Sequence, residues 1–250
     1  VKLSVVIPAH NEEGCIRATI EALVMILEDE KIAHDIVVVN DNSSDSTEAI
    51  LQELSTRFAG VRYVNNSPPN GFGFAVRKGL ECFEGDAVAV YMADASDSPA
   101  DLVTFYRTLL EKDVDCVFGT RWSKGGRVFD YPRHKRILNR AANHFIRVLM
   151  QIRCDDITNA FKLYRREVIE GCHPFLSHHF NLTVEVPLKA VIRGYSYAVV
   201  PNSWTNRTAG VSKLKINEMG SRYLFIVLYC LLEKWLARGD YHRLSAPPKG

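Results

Sequence analysis

Three polar turns constrain what this chain can fold into, because each carries acids and each follows directly on a short β-branched run. The runs are residues 3–8, 35–39, 61–64, 86–92 and 115–119, with amphipathic segments between them. Between the first two, Ile16, Ile20, Leu23, Val24 and Leu27 recur at helical spacing. Strands that alternate with helices predict an α/β fold with a mostly parallel central sheet flanked by helices. Asp45 with Glu48 has the spacing of a capping box, and Ser98 followed by Pro99 marks another helix start.

In open α/β sheets, ligands bind outside the carboxyl ends of the strands. The turns expected there are Pro8-Ala9-His10-Asn11-Glu12, Asn40-Asp41-Asn42-Ser43 and Ala93-Asp94-Ala95-Ser96-Asp97. Three acid-bearing turns on one edge exceed what a purely structural sheet requires. After the fifth strand the character changes: residues 121–153 hold nine Lys or Arg against one acid, Asp130, a local +8 in a chain of net charge +2. The block opens on Gly119-Thr120-Arg121-Trp122-Ser123-Lys124-Gly125-Gly126-Arg127. Such a cationic loop at the ligand edge suits an anionic group, although a solvated helix face carries similar charge.

Composition removes several classes. Over 250 residues, 47% hydrophobic and 24% charged is a globular balance, which excludes disorder, collagen and coiled coil. A net charge of +2 excludes a protein whose main work is neutralising a nucleic-acid backbone. The six cysteines, at 15, 82, 116, 154, 172 and 230, form no C-x-x-C pair and no metal-ligand spacing, and read as reduced, packed thiols of a cytoplasmic protein. No basic region followed by an apolar core opens the chain, so no signal peptide is expected. The longest apolar run, residues 223–232, is about half of the roughly 20 residues a membrane span needs.

The first turn lacks the G-x-G-x-x-G of a dinucleotide fold, and no P-loop motif occurs. What the turns resemble is the family 2 glycosyltransferases of GT-A fold, in particular the dolichol-phosphate or polyprenol-phosphate sugar synthases. Val5-Val6-Ile7-Pro8-Ala9-His10-Asn11-Glu12-Glu13 is similar to that family's opening strand and turn, and Val39-Asn40-Asp41-Asn42-Ser43-Ser44-Asp45-Ser46-Thr47 to its D-D-G-S-x-D-x-T. Gly71-Phe72-Gly73-Phe74-Ala75 follows, then Tyr91-Met92-Ala93-Asp94-Ala95-Ser96-Asp97-Ser98-Pro99 at its D-A-D-L-Q-x-P-P. Gly119-Thr120-Arg121, Asn159-Ala160-Phe161-Lys162-Leu163-Tyr164-Arg165 and Asn206-Arg207-Thr208-Ala209-Gly210-Val211-Ser212-Lys213-Leu214 resemble the polyprenol-phosphate branch.

The resemblance implies roles. Pro8, His10, Glu12, Asn40 and Asp41 fall where the family holds the nucleotide, and Arg207 and Lys213 lie in a loop that the family folds over the donor. Asp94, with Ser96 and Asp97 beside it, falls where the family holds Mg²⁺ or Mn²⁺ against the leaving diphosphate. This chain departs from the pattern there: Met92 replaces the first acid, Ser96 the glutamine, and Asn40 the first acid of D-D-G-S. A polyprenyl phosphate is already ionised, so its attack needs orientation and charge screening rather than a base. The family uses arginines for this, matched by Arg121 and by Lys135 with Arg136 beside it.

The function expected is an inverting glycosyltransferase moving a sugar from a GDP- or UDP-linked donor to a polyprenyl or dolichyl phosphate at the cytoplasmic membrane face. A soluble glycan or protein acceptor, or a non-catalytic nucleotide-sugar binder, are the alternatives. Residues 1–217 are expected to form the GT-A domain and 218–250 a C-terminal helix and tail. That helix is apolar nearly all round in its middle and cationic near its ends. It reads equally as a core or homodimer helix and as one lying in the membrane surface.

Overall fold

The computed structural model describes residues 1–206 and 216–243. β1 (Leu3–Ala9), α1 (Ile16–Asp29), β2 (His34–Asn40), α2 (Thr47–Arg57), β3 (Val61–Asn65), α3 (Phe72–Cys82), β4 (Ala87–Val90), α4 (Pro99–Glu111) and β5 (Cys116–Thr120) make up the alternating half. Then come β6 (Arg127–Phe129), α5 (Arg133–Met150), β7 (Lys162–Arg165), α6 (Arg166–Gly171), α7 (Leu182–Ile192), β8 (Tyr197–Pro201), β9 (Ser203–Thr205) and α8 (Ile216–Leu236). Seven strands form one sheet in the order β3-β2-β1-β4-β7-β5-β8, and β6 pairs with β9 in a separate two-stranded sheet. All the main pairings are parallel except those of β7, which runs antiparallel between β4 and β5.

The sheet is buried on both faces, and strand alternation sorts its side chains into two cores. Val5 and Ile7 of β1 with Ile36 and Val38 of β2 pack under α1, α2 and α4. Val6 and Val37, on the opposite face, pack with α3, α5, α6, α7 and α8. Helix α1 buries Ile16, Ile20, Leu23, Val24 and Leu27, the positions its spacing predicts.

The five expected strands are all present within one or two residues, save that β4 stops at Val90 rather than 92. There Tyr91 turns its hydroxyl onto the Asp97 carbonyl, which begins the turn. Strands β6 to β9 are not among the five expected: β6 and β9 are only three residues long and β7 is bounded by Lys162 and Arg165, whereas β8 is a five-residue strand the sequence reading missed. Helix α4 begins at Pro99 with Ser98 as its N-cap, as expected. The Asp45/Glu48 capping box does not form. Ser46 is the N-cap of α2, the Asp45 carboxylate accepts from the Glu13 and Thr47 amides at 3.2 and 3.0 Å, and Glu48 accepts from Asn65 at 2.7 Å.

All six cysteines are free, and five are buried. Helix α8 is half core and half surface: Ile226, Val227, Cys230 and Leu231 are buried, while Leu224, Phe225, Leu228, Leu232, Trp235 and Leu236 are exposed. Arg193, just past α7, donates to Glu233 of α8 through Nε and Nη2 at 2.7 and 3.0 Å, and both side chains are almost fully buried. Among the described residues no helix is long and apolar enough to cross a membrane.

Candidate active site

The first two turns interlock. The Asn11 amide donates to Ser43 Oγ at 3.1 Å and its Oδ1 accepts from the Ser44 amide at 2.8 Å. The Glu12 amide donates to Thr47 Oγ1 at 2.9 Å, and Glu13 Oε2 accepts from the Ser46 amide at 2.9 Å. Asn11 sits at φ 53° and Asn42 at φ 57°, a left-handed conformation that asparagine tolerates. Pro8 ends up buried in β1, and half-buried His10 meets the Asp41 carbonyl through Nδ1 at 2.7 Å. A carbonyl only accepts, so Nδ1 carries a proton there.

Two of the residues expected at the nucleotide also brace the loop beside it. Asp41 accepts from Asn66 and Asn70 on Oδ1 and from the Gly71 amide on Oδ2, at 2.7, 2.9 and 2.7 Å. Asn40, 3% exposed, donates to Asn65 Oδ1 at 2.8 Å and accepts from the Ser43 amide at 3.3 Å. The loop then enters α3, where Phe72 stacks on Phe180 and Phe74 on His178. A Cβ on Gly73 would stand 2.3 Å from the His178 carbonyl carbon, so this crossing admits only glycine. His178 is thus a packing residue of the loop.

The third turn gathers the acids. Asp94 Oδ1 accepts from the Ser96 amide at 3.1 Å across Ala95, which sits at φ 56°. Asp97 is 4% exposed, and its Oδ1 has no hydrogen-bond partner among the described residues. Burial, and next the nearby Asp94 charge, push the Asp97 carboxyl up to about 8. Strand β9 is stitched to this turn: Asp97 bridges to Trp204, the Thr205 amide donates to the Ser96 carbonyl at 2.9 Å, and the Ser203 amide donates to Asp101.

Arg121 closes the other side. Its Nε and Nη2 fork onto Asp156 at 2.7 and 2.8 Å, and its own amide donates to Asp156 at 3.1 Å. Burial opposes its charge, and the Asp156 carboxylate more than restores it, so the guanidinium stays above its ordinary range. The guanidinium carbons of Arg121, Arg136 and Arg140 lie 5.4, 5.4 and 5.7 Å from the Trp122 ring centre. Arg136 therefore reaches the Arg121 neighbourhood, with Arg140 one turn behind it. Lys135 lies in the first turn of α5, half-buried. Arg207 and Lys213 lie outside the described residues.

Sequence reading missed Asp156, Asn143, Arg140 and Trp204. A usable signal existed for two of them: Asp155-Asp156 closes a strongly cationic block, and Asn139 and Asn143 stand one turn apart in an otherwise basic, amphipathic helix.

Asp94, Ser96 and Asp97 together fit a divalent cation. They present two carboxylates and a hydroxyl, hard oxygen donors of the kind Mg²⁺ and Mn²⁺ prefer, and the orphaned buried oxygen of Asp97 is a site a cation would satisfy. Among the described residues no group of three His, Cys, Asp or Glu could hold a metal unaided. Such a cation would draw its remaining ligands from water and from a bound diphosphate.

Residues 4–172 match the family model described as Glycosyl transferase family 2. The chain belongs to glycosyl transferase family 2. It is 30% identical over 216 residues to a polyprenol monophosphomannose synthase of Mycolicibacterium smegmatis, covering 84% of this chain and 80% of that protein. It is 31% identical over 222 residues to a dolichol-phosphate mannosyltransferase of Pyrococcus furiosus, covering 86% of this chain and 60% of that one. A 27% match over 209 residues to glycosyltransferase AglD of Haloferax volcanii covers 82% of this chain and only 33% of that protein. The chain thus spans between a third and four fifths of these relatives. Its fold matches glucosyl-3-phosphoglycerate synthase from Mycobacterium tuberculosis, crystallised with Mn²⁺, UDP and phosphoglyceric acid, at a TM-score of 0.69 and 20% identity, over 93% of this chain and 78% of that one. That likeness identifies the fold as GT-A.

Proposed function

We propose that this family 2 chain is an inverting glycosyltransferase that moves a sugar from a nucleotide diphosphate sugar to a polyprenyl phosphate at the cytoplasmic face of a membrane. The observation that carries the reading is the meeting of an acid turn, Asp94 to Asp97, with a buried, permanently charged guanidinium, Arg121. The polyprenol-phosphate and dolichol-phosphate mannosyltransferase relatives support the acceptor class.

The residues divide the work. His10, Glu12 and Asp41, at the ends of β1 and β2, orient the base and ribose, with Asn40 and Pro8 shaping the floor. Asp94, Ser96 and Asp97 would hold Mg²⁺ or Mn²⁺, which when bound supplies positive charge to the leaving diphosphate. Arg207 and Lys213 add cationic help to the same group. Arg121, with Lys135 and Arg136, draws the acceptor phosphate to the anomeric carbon. That phosphate needs no proton removed, which accounts for a site built of guanidinium groups rather than of a base. Direct displacement then inverts the anomeric centre.

Membrane association has its own support. Helix α5 contains no acid and exposes Arg133, Arg136, Arg140 and Arg147 beside Ile137, Leu138, Phe145 and Val148, which are 70, 51, 51 and 62% exposed. Helix α8 exposes a second apolar row, and its Lys234 donates to the Met150 carbonyl at the end of α5. An apolar strip edged by cations suits an anionic bilayer surface. A homodimer through α8 would bury only the second row.

The deciding experiment is a thermal-shift screen of nucleotide sugars with and without Mn²⁺, followed by transfer of the stabilising sugar to polyprenyl phosphate in detergent. A stabilising donor whose sugar passes to the lipid phosphate supports the reading. Transfer only to soluble glycans or proteins, or none at all, rejects it.

A further inference from the structure

Buried polar side chains in the interior of an amphipathic helix need an explanation, because the helix gains nothing from them locally and each must find partners. Asn143, in the middle of α5, is 1% exposed. Its Oδ1 accepts from the Thr158 amide at 3.1 Å, and its Nδ2 lies 2.9 Å from Thr158 Oγ1, 3.0 Å from both the carbonyl and Oδ1 of Asn139, and 3.3 Å from Asp156 Oδ1. It thereby binds the 156–158 segment at both a backbone and a side-chain atom. Asp156 is the carboxylate onto which Arg121 forks, so the direction of that guanidinium is only as fixed as Asp156 itself.

The same segment is pinned from the sheet side. Lys162 of β7, also 1% exposed, donates its ammonium hydrogens to the carbonyls of Ile157, Asn159 and Thr183, with no carboxylate in contact among the described residues. One turn before Asn143, Asn139 accepts the Trp122 indole N–H at 3.1 Å, which ties the residue after Arg121 to the same helix.

Resting on the acceptor reading above, we propose that Asn143 is a positioning residue: it holds Asp156 against Arg121, and so aims the Arg121 guanidinium at the acceptor phosphate, with Lys162 supporting the segment from behind. One helix then carries the outward apolar and basic face and, inward, the amide that sets the phosphate-binding cation.

The test is binding of a short-chain prenyl phosphate, measured by calorimetry without donor, for Asn143→Ala in wild-type and Arg121→Lys backgrounds. Lysine keeps Asp156 paired but has no fork to be aimed. Asn143→Ala should raise the prenyl phosphate Kd about tenfold, as expected for residues coupled through shared partners, and change the nucleotide Kd less than twofold. In the Arg121→Lys background that loss should disappear. The same loss in both backgrounds, or equal losses for nucleotide and prenyl phosphate, overturns the proposal. If Asn143→Ala does not fold, Lys162→Met is put through the same cycle with the same expected and overturning outcomes. Unmutated protein that binds nucleotide but no prenyl phosphate rejects the acceptor reading itself, and this proposal with it.

Discussion

Asp94 and Asp97 stand three residues apart in one turn and are set different tasks by their surroundings. Asp94 lies at the strand end with its carboxylate oriented by the Ser96 amide, so Asp94→Asn should lower the transfer rate at least a hundredfold, on the order seen for loss of a group that stabilises developing charge. Its melting temperature should barely move, and wild-type transfer in the variant would remove Asp94 from the mechanism. Asp97 is the buried one. Its carboxyl ionises near 3.8 when unfolded and near 8 in the folded chain without cation, so the native state holds the extra proton across that window. Its contribution to stability is therefore fully present below about pH 4 and lost as pH rises towards 8. Asp97→Asn should flatten this loss and raise the melting temperature at pH 8 in chelator, while abolishing the rise that added Mn²⁺ gives the wild type. Melting curves across pH, with and without Mn²⁺, measure both effects, and an unchanged Mn²⁺ response would take Asp97 out of the cation site.

Among the elements, α5 and α8 carry the least satisfied surfaces. Ending the chain near residue 217 would be a poor test of membrane docking, because it removes Ile226, Val227, Cys230 and Leu231 from the core as well as the exposed row. Point changes on the outer faces avoid this. Phe145→Asp with Val148→Asp, and separately Phe225→Asp with Leu228→Asp, should each leave circular dichroism unchanged and reduce sedimentation with anionic liposomes. Each cation at such a surface contributes about 1 kcal/mol, so the wild-type association should also weaken as salt rises. Loss in the α8 pair alone would make α8 the docking face, one of the two roles its sequence left open. Equal sedimentation of all three proteins would exclude both faces.

At the scale of the whole molecule, the second core depends on ion pairs that composition does not reveal. Glu185 and Lys189 of α7 are both fully buried, 2.6 Å apart. Glu185 also accepts the Leu176 and Ser177 amides at 2.7 Å each, and Lys189 donates to the Pro174 carbonyl. The pair thus fixes the 174–177 segment leading to His178, which packs against α3 beside the Asn70-Gly71 turn that Asp41 braces. Glu185→Gln leaves a buried ammonium without its counter-charge and should cost about 3–5 kcal/mol in chemical denaturation. Glu185→Leu with Lys189→Met should cost less than the single change, since replacing a buried pair by apolar groups is often near neutral. A double variant as unstable as Glu185→Gln would show that the hydrogen bonds to the 174–177 segment, and not the charge balance, set the cost.

The alternation of β-branched runs with amphipathic helices determined the fold class, the five parallel strands and the position of all three ligand-edge turns, because these follow from local periodicity and turn chemistry. Asp94 was legible for the same reason: a strand end and its turn are contiguous in sequence. The partners of Arg121 were not, because Asp156 is 35 residues away and Asn143 reaches it from a helix whose spacing shows only a basic, amphipathic face. Whether a buried charge is held ready or neutralised depends on which groups the fold brings within hydrogen-bond reach. The antiparallel β7 made the same point: its Lys162 spoils the strand pattern locally and becomes tolerable only where the fold curls the Ile157 and Asn159 carbonyls back onto its ammonium and brings the Thr183 carbonyl to it from 21 residues away.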